Sequence, residues 1–297
     1  MRKVLVLMST YNGEKYIKEQ IDSVLSQEQV DVSILIRDDG STDDTTNIVK
    51  TYDSSKIIVM ESNMNVGPAE SFMTLLRYAK LYDYYAFCDQ DDFWGKNKLS
   101  FAIDHLDEMI SLKGKLYLSS LNVVDVNLKP LFKTKLLDSP SVNPAMVRNQ
   151  ATGCTMVFDE ILRKNVVDSS IHNYTMHDSF LYKFAIISGA KVFLDNDSYI
   201  KYRQHPNNTL GMSNQHKKIY NTMLNRFKES DYDASNSAIE LLKSNFVEEM
   251  MKEYLISLSF YKKSLKHKFL LLTKYMIKTN YKYSKCNYIM KVIFNKL

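Results

Sequence analysis

The sequence contains few cysteines, and their spacing excludes two common ways of stabilising a chain. Among 297 residues there are three, Cys88, Cys154 and Cys286, and no two of them form a C-x-x-C pair. An odd number of widely separated cysteines supports neither a disulfide framework nor a zinc site. We therefore expect the chain to work in a reducing cytoplasm.

Long apolar runs are also missing. No uninterrupted apolar segment approaches the ~18 residues that would span a bilayer. At the start, Arg2 and Lys3 lead directly into a short β-rich run and then a turn at Asn12 and Gly13, which is not the pattern of a secretory leader. The sequence thus predicts a chain that stays on the cytoplasmic side of the membrane.

Acidic residues are absent from the last part of the chain. From Tyr254 to Leu297 there are ten lysines and no Asp or Glu, whereas the rest of the chain has 29 basic and 34 acidic residues. Large apolar residues alternate with these lysines at helical spacing, which is typical of a helix that lies on an anionic membrane. We therefore expect residues 254–297 to bind the inner face of the cell membrane.

Two alternatives for this basic segment stay open. It could be a helix that packs on the core with a solvated basic face, or a helix that binds a protein partner. Nucleic acid is a less favoured partner, because the body of the chain presents an acidic edge to any polyanion. We expect no nucleic-acid binding.

What the sequence does contain is a series of strand, turn and helix patterns. Each β-rich run ends at a turn, and residues with helical spacing follow, such as Ile17, Ile21 and Val24 after the first turn. Repeated units of this kind imply an α/β fold with a mostly parallel sheet flanked by helices, whose ligands bind at the carboxyl ends of the strands. The predicted strands are Lys3–Met8, Val32–Ile36, Lys56–Met60 and a fourth that ends at Asp89.

Three carboxylates follow the fourth predicted strand. Asp89, Asp91 and Asp92 lie within four residues, directly after the apolar segment Tyr84–Cys88. Clustered carboxylates at the end of a buried strand need a cation, and oxygen ligands favour Mg²⁺ or Mn²⁺. Because such an ion shares its remaining positions with water and substrate phosphates, the acids indicate a nucleotide diphosphate. The alternative for so short a motif is an acidic surface turn.

Taken together, these segments resemble the inverting glycosyltransferases of family 2, which have the GT-A nucleotide-sugar fold. The resemblance covers roughly residues 3–210, and the segments beyond the acidic run resemble a bacterial branch that includes rhamnosyltransferases of surface polysaccharide synthesis. The first four matching motifs are Ser9–Asn12, Asp38–Asp43, Asn65–Gly67, and Asp89–Trp94 followed by Lys98. The later ones are Ala151–Phe158, Met176–Asp178 and Tyr202–Asn208.

The resemblance implies a donor site at the ends of the first strands. Thr10, Tyr11 and Asn12 would lie along the base and ribose, although this turn could also be an ordinary helix cap. Asp39 would accept a hydrogen bond from the imide N–H of a pyrimidine base. Asn65 and Gly67 belong to the same donor site by the match of their motif.

The same resemblance assigns roles within the acidic run. Asp89 would face the ribose, and Asp91 would bind the metal that bridges the two phosphates, with Asp92 as the second choice for that ligand. The metal would act as a Lewis acid and template for the departing diphosphate. Lys98 is expected to bind the donor, and Trp94 could wall the sugar pocket or belong to the core; both residues are predicted on the following helix.

A second donor-side segment is Tyr202–His205, at the end of a predicted strand. Arg203 could clamp a phosphate, and His205 could touch the diphosphate or the metal. The residues that follow, from Pro206 to Gly211, have a composition suited to a mobile loop that closes over the bound donor. A salt bridge at the surface is the alternative for Arg203.

An inverting transfer needs a base on the acceptor side, and the resemblance assigns that role to Asp178. A carboxylate must lie within hydrogen-bond reach of the attacking hydroxyl, because an alcohol is a poor nucleophile until its proton is drawn off. Many family members carry Glu-Asp where this chain has His177-Asp178, and we expect His177 to be a hydrogen-bonding neighbour. The alternative for Asp178 is a helix N-cap. Gly153 and Cys154 match a tight turn near the sugar pocket.

The resulting expectation is a metal-dependent inverting glycosyltransferase with Mg²⁺ or Mn²⁺. It would move a sugar from a pyrimidine-nucleotide donor, dTDP-L-rhamnose or a UDP-hexose, to a glycan or lipid-linked acceptor. Residues 1–212 would form the catalytic domain, with a nucleotide half to about 98 and an acceptor half beyond it, and residues 213–297 a basic helical extension. The alternatives are a nucleotidyltransferase, and an inactive carbohydrate-binding or scaffold protein with the same fold.

Overall fold

The structure is a computed structural model that describes residues 1–53, 55–60, 62, 64–136, 140, 142–147, 149–206, 234–276 and 282–297. Its strands are β1 Arg2–Thr10, β2 Val30–Asp38, β3 Ile57–Met60, β4 Tyr84–Cys88, β5 Phe93–Trp94, β6 Lys115–Ser119, β7 Asn122–Val124, β8 Pro130–Lys133, β9 Val157–Asp159, β10 Lys191–Asp195 and β11 Ile200–Arg203. Its helices are α1 Ile17–Leu25, α2 Thr45–Lys50, α3 Gly67–Tyr78, α4 Lys98–Glu108, α5 Val142–Val147, α6 Glu160–Asp168, α7 His177–Ile187, α8 Ala234–Leu242, α9 Glu249–Phe260, α10 Leu265–Leu272 and α11 Lys282–Ile293. A short 3₁₀ turn covers Gly153–Thr155.

The main sheet has seven strands in the order β10-β6-β9-β4-β1-β2-β3. All neighbours pair in parallel except β9, which runs antiparallel to both β4 and β6. This arrangement confirms the predicted α/β fold with a mostly parallel sheet flanked by helices. A smaller sheet has the order β5-β11-β7-β8, and it holds Arg203 next to the acidic run.

The two faces of the main sheet are covered by different helices, as the alternation of side chains along a strand requires. In β1, Val4, Val6 and Met8 point into a core formed with α1 and α4, whereas Leu5 and Leu7 point into a core formed with α3, α6 and α7. Both faces of the central strands are therefore buried. The carboxyl ends of β1, β2, β3, β4 and β6 share one edge, and the turn at Gly153–Thr155 reaches that edge because β9 runs the opposite way.

The basic C-terminal segment packs against the second of these cores. Eight of its residues are buried there: Tyr254, Leu255, Leu258, Tyr261, Leu271, Tyr288, Val292 and Leu297. Of the alternatives stated for this segment, packing on the core is therefore present. Among the described helices none is both long and apolar enough to cross a membrane. The predicted boundary at 212/213 lies outside the described residues, so the division into two domains stays a prediction.

Trp94 differs from its predicted position. It lies in β5, where it pairs with Ile200 of β11, and not on the following helix. Its indole ring is fully buried in the core beneath α1 and α4. Of its two predicted alternatives, the core position is the one observed.

Candidate functional site

The first βα turn and the loop after β2 are held together by side-chain hydrogen bonds at the carboxyl edge of the sheet. Thr10 Oγ1 donates to Asp38 Oδ1 (2.8 Å), and the backbone N–H of Asn12 donates to Ser41 Oγ (2.9 Å). In return, Asn12 Oδ1 accepts a hydrogen bond from the backbone N–H of Thr42 (2.8 Å). The two predicted donor-binding segments therefore form one unit.

A glutamine that the sequence reasoning gave no role ties this unit to the acidic run. Gln90 accepts a hydrogen bond from the backbone N–H of Tyr11 (2.9 Å) and donates to its carbonyl oxygen (2.8 Å). Gly13 makes room for this contact, because a Cβ at that position would lie 2.1 Å from Gln90 Oε1. Gln90, the residue between Asp89 and Asp91, thus links the loop after β4 to the turn after β1.

Asp39 is buried and connects the end of β2 to the start of α3. Its carboxylate forms an ion pair with the buried Arg37, while Oδ1 accepts from the N–H of Val66 (2.9 Å) and Oδ2 from the N–H of Gly67 (2.9 Å). Gly67 has a φ of +79°, which favours glycine, and its N–H also contacts Asn65 Oδ1 at 3.2 Å. Since a carboxylate oxygen has two acceptor positions, Oδ2 can still receive an imide N–H.

The acidic run contributes two groups of contacts. Asp91 Oδ2 lies 2.7 Å from His205 Nε2, and the imidazole ring is stacked on Tyr16 with 4.8 Å between ring centroids. Ligand atoms of Asp89, Asp92 and Cys154 all lie within 4.8 Å of one another. The structure therefore brings the predicted metal ligands and His205 to the same strand end.

Electrostatics at this strand end fit a divalent cation. Burial, followed by the charges of Asp91 and Asp178, raises the pKa of Asp89. Burial also raises the pKa of Asp92 well above its usual range, and its Oδ2 has no hydrogen-bond partner among the described residues. A cation would relieve both effects. Because burial raises the pKa of the Cys154 thiol as well, that residue stays protonated, and the carboxylates are the better ligands for a hard ion.

Lys98 is buried. Its side chain has Nζ 3.7 Å from the centroid of the Trp94 ring, and burial lowers its pKa to about 8, opposed among others by the charge of Asp92. No hydrogen bond to Nζ is formed within the described residues. The contact between Lys98 and the donor stays a prediction.

Arg203, at the end of β11, links this strand to the acidic run. Its Nε donates to the carbonyl oxygen of Asp91 (2.8 Å), Nη1 donates to the carbonyl oxygen of Val126 (2.7 Å), and Nη2 forms an ion pair with Glu19. Its backbone N–H donates to Asp92 Oδ1 (3.1 Å). An ion pair is therefore present, but the guanidinium is buried and not at the surface, and it holds the acidic run in place. A contact between Arg203 and a phosphate stays a prediction.

Asp178 lies in the first turn of α7, close to the turn at Gly153. Oδ2 accepts a hydrogen bond from the backbone N–H of Gly153 (3.2 Å), and Oδ1 accepts from the N–H of Ser179 (2.6 Å). The N-cap position belongs to Met176, so Asp178 is not the N-cap residue. Gly153 is the neighbour of Cys154, and the Cys154 thiol lies within 4.8 Å of carboxylate oxygens of Asp89 and Asp92, so Asp178 lies close to the acidic run.

The prediction that His177 is a hydrogen-bonding neighbour is wrong. Its buried ring is stacked on Phe72, with ring centroids 4.0 Å apart, and meets Phe87 edge-on at 4.8 Å. Neither ring nitrogen has a hydrogen-bond partner within the described residues. Burial lowers the pKa of His177 to about 4, so the imidazole is neutral at pH 7.

A buried lysine near Asp178 was not predicted from the sequence. Lys183 is buried one to two turns further along α7, and burial lowers its pKa well below the usual value, opposed by the charge of Asp178. The available signal was a lysine inside the apolar run Phe180–Ile187. Of the predicted closing loop, Asn207–Gly211 lie outside the described residues.

This α/β fold gathers carboxylates at the carboxyl edge of its parallel strands, where enzymes with such sheets bind their ligands. The model for Glycosyl transferase family 2 matches residues 5–128. The chain is 32% identical over 276 residues to the dTDP-rhamnosyl transferase RfbG of Shigella flexneri, covering 86% of this chain and 93% of that relative. The chain therefore belongs to glycosyltransferase family 2 and is a glycosyltransferase.

Two further comparisons bear on the fold and on the relatives. A UDP-Glc:α-D-GlcNAc-diphosphoundecaprenol β-1,3-glucosyltransferase of Escherichia coli, WfaP, is 36% identical over 107 residues, which is 36% of this chain and 42% of that protein. The crystal structure of Staphylococcus aureus TarS residues 1–349 with UDP-GlcNAc superimposes with a TM-score of 0.60 at 18% identity, covering 99% of this chain and 80% of that one. This likeness confirms the predicted GT-A fold.

Proposed function

We propose that this glycosyltransferase moves a sugar, with inversion, from a pyrimidine-nucleotide donor to a glycan acceptor in bacterial surface polysaccharide synthesis. dTDP-L-rhamnose is the favoured donor, because RfbG, named a dTDP-rhamnosyl transferase, matches the chain over most of both lengths. The observation that carries the proposal is the convergence of Asp89, Asp91 and Asp178 at one sheet edge. Asp178 is hydrogen-bonded to Gly153, the neighbour of Cys154, and the Cys154 thiol lies within 4.8 Å of a carboxylate oxygen of Asp89. A UDP-hexose is the second donor candidate.

On the donor side, the interlocked loops supply the nucleotide-binding contacts. Asp39 Oδ2 accepts the imide N–H of the base, and Thr10, Tyr11 and Asn12 line the base and ribose. Asp89 faces the ribose. Asp91, with Asp92 and His205 beside it, holds Mg²⁺ or Mn²⁺, which neutralises the charge on the diphosphate when it is bound.

On the acceptor side, Asp178 is the general base. Its carboxylate takes the proton of an acceptor hydroxyl, whose oxygen then forms a bond to the anomeric carbon of the donor sugar. The bond from that carbon to the diphosphate oxygen breaks, and its electron pair leaves with the nucleoside diphosphate. Attack from the face opposite the leaving group inverts the anomeric configuration. The hydrogen bond from the Gly153 N–H orients the carboxylate of Asp178 for this step.

A lipid-linked acceptor is the favoured substrate, and the inner face of the cell membrane is the favoured location. WfaP, a partial relative, is named for a diphosphoundecaprenol-linked acceptor. The basic segment 254–297 supplies the positive charge that a peripheral enzyme needs at an anionic surface.

The proposal is tested by nucleotide binding and transfer in wild type and Asp178→Asn. With Mn²⁺ present, dTDP or UDP should raise the melting temperature of both proteins, because only a ligand bound to the folded state stabilises it. Transfer by Asp178→Asn should fall by ~10²–10⁴-fold, the usual contribution of a positioned base. Asp104→Asn, an exposed carboxylate on α4, is the matched control and should transfer normally.

Three results would contradict parts of this proposal. Nucleotide binding and transfer that persist unchanged in EDTA would exclude the metal. Near-normal transfer by Asp178→Asn would exclude it as the base. Nucleotide binding by wild type without transfer to any glycan acceptor would favour the inactive scaffold.

A further inference from the structure

The two C-terminal helices carry large apolar side chains on their outer surface. On α10, Leu265 is 84% exposed and Phe269 is 66% exposed. On α11, Phe294, in the residue after the helix, is 59% exposed, and Met290 is 51% exposed. We call these four residues the outer face. Four exposed large apolar side chains on two neighbouring helices indicate a binding surface.

Helical spacing shows that the outer face is distinct from the core contact. Leu265 and Phe269 are four residues apart, as are Met290 and Phe294, so each pair lies on one side of its helix. The buried residues lie on the other side: Leu271 on α10, and Tyr288 and Val292 on α11. Each helix thus has an inner apolar face in the core and a second apolar face towards solvent.

The two outer pairs belong to one surface. Lys268 Nζ on α10 donates to the carbonyl oxygen of Ile293 at the end of α11, at 3.0 Å. This contact places Phe294 beside α10. Because the inner faces are fixed in the core, the outer face is held in one position by the fold.

Positive charge surrounds the outer face. The segment 254–297 has ten lysines and no acid, and among its described residues Lys263, Lys266, Lys285 and Lys296 are exposed lysines. The nearest preceding acid, Glu253, forms an ion pair with another exposed lysine, Lys274. The excess of lysine over acid in this segment complements anionic groups.

We propose that the outer face docks on an anionic lipid bilayer, with its four apolar side chains in the interfacial region and the lysines at the headgroups. The proposal rests on the proposed function, because a lipid-linked acceptor is reached from the membrane surface. Apolar side chains in the interface and lysines near anionic headgroups each strengthen such binding. Since no described helix is able to cross a bilayer, the helices lie on the surface.

A bilayer fits this surface better than a second copy of the chain. A symmetric contact through the outer face would bring the lysines of two copies together without any acid from 254–297 to pair with them. Like charges brought together at an interface are unfavourable. An anionic bilayer offers both an apolar layer for Phe269 and Phe294 and negative charge for the lysines.

The test is co-sedimentation of the full-length protein with vesicles of phosphatidylcholine alone, or of phosphatidylcholine with one-third phosphatidylglycerol. Two double variants remove the apolar and the charged component, Leu265→Ser/Phe269→Ser and Lys263→Glu/Lys266→Glu. The matched control is Leu112→Ser/Lys113→Glu, in the loop before β6, where Leu112 is 91% exposed.

Wild type and control should bind the anionic vesicles, and each outer-face variant should bind at least about tenfold more weakly. All four proteins should keep the dTDP- or UDP-induced rise in melting temperature and transfer to a soluble acceptor. Equal vesicle binding by wild type and both variants would overturn the proposal. So would a wild-type dimer that becomes monomeric in the variants and never binds vesicles. A wild-type protein that binds vesicles but no nucleotide would instead contradict the proposed function, because vesicle binding needs no donor.

Discussion

At the scale of single residues, the buried imidazole of His177 should make the stability of the folded protein depend on pH. The pKa of its buried imidazole is lowered to about 4, whereas an unfolded chain has the ordinary value near 6.5. Between these values the unfolded state binds a proton that the folded state does not, so stability rises with pH. The contribution of His177 is complete above pH ~6.5, and roughly 3 kcal/mol of unfolding free energy is lost as pH falls to ~4.

Urea unfolding at pH 7, 6 and 5 measures this effect. His177→Phe keeps an aromatic ring against Phe72 and should reduce the pH dependence of the unfolding free energy in this range. His172→Phe, at an exposed histidine, is the control and should leave that dependence as in wild type. If His177→Phe changes with pH as steeply as wild type, the buried imidazole is not the cause.

Residue types at strand ends could be predicted from the sequence, whereas their partners could not. The carboxylate cluster was predicted as a metal site from its position after an apolar run, and the resemblance assigned Asp91 as the ligand. The 2.7 Å contact of Asp91 with His205 joins residues 114 positions apart. No local pattern records such a contact. The same limit explains His177, because the two rings that surround it, Phe72 and Phe87, come from α3 and β4.

At the scale of elements, Arg203 of β11 should affect the metal affinity of the acidic run, because it holds that run in place. Its planar fork binds the carbonyl oxygens of Asp91 and Val126 and the carboxylate of Glu19, and a lysine ammonium cannot reproduce this geometry. Arg203→Lys should therefore fold, but bind Mn²⁺ in the presence of dTDP or UDP roughly tenfold or more weakly. Titration of Mn²⁺ against the melting temperature with saturating nucleotide measures the change.

Glu19→Gln is the matched control, because it removes only the partly exposed partner of the ion pair. Its side-chain amide keeps an oxygen that can accept the hydrogen bond from Nη2, so the Mn²⁺ affinity should stay close to that of wild type. Wild-type Mn²⁺ affinity in Arg203→Lys would show that Arg203 does not position the acidic run. Equal loss in Glu19→Gln would assign the effect to the ion pair alone.

Strands that carry a run of apolar or β-branched residues could be predicted, whereas the two-residue strand β5 could not. The first strand was predicted as Lys3–Met8 and extends over Arg2–Thr10, because a run of buried residues with β propensity is visible locally. The two-residue strand β5 exists because Trp94 pairs with Ile200 of β11, far along the chain. Such pairing depends on tertiary contacts, so the sequence around Trp94 indicated a helix instead.

At the scale of the whole molecule, the basic segment combines core packing with an exposed apolar and basic surface, and composition alone could not separate these two features. Its lysines and apolar residues predicted an interfacial helix, and its core packing was an open alternative. The structure has Tyr254 and Tyr261 buried together with residues of α7, while Leu265 and Phe269 stay exposed. A helix that is apolar on two sides gives a sequence pattern in which the inner and outer faces overlap.

This packing predicts that the chain does not fold without its C-terminal segment. Truncation after Glu253 would remove eight buried side chains, among them Leu258, Leu271 and Val292, from a core that they share with the sheet. Each contributes ~1.5–3 kcal/mol by its burial, and together their contribution is comparable to or larger than the ~5–15 kcal/mol by which a folded protein is usually stable. We therefore expect the truncated protein to lack a cooperative thermal transition by circular dichroism, and to be degraded rapidly by a protease that spares the full-length chain.

The outer-face variant Leu265→Ser/Phe269→Ser is the control, because it changes the same segment without touching the core, and it should melt close to wild type. A truncated protein that unfolds cooperatively near the wild-type temperature would show instead that residues 1–253 form an independent domain, to which the basic helices are only attached.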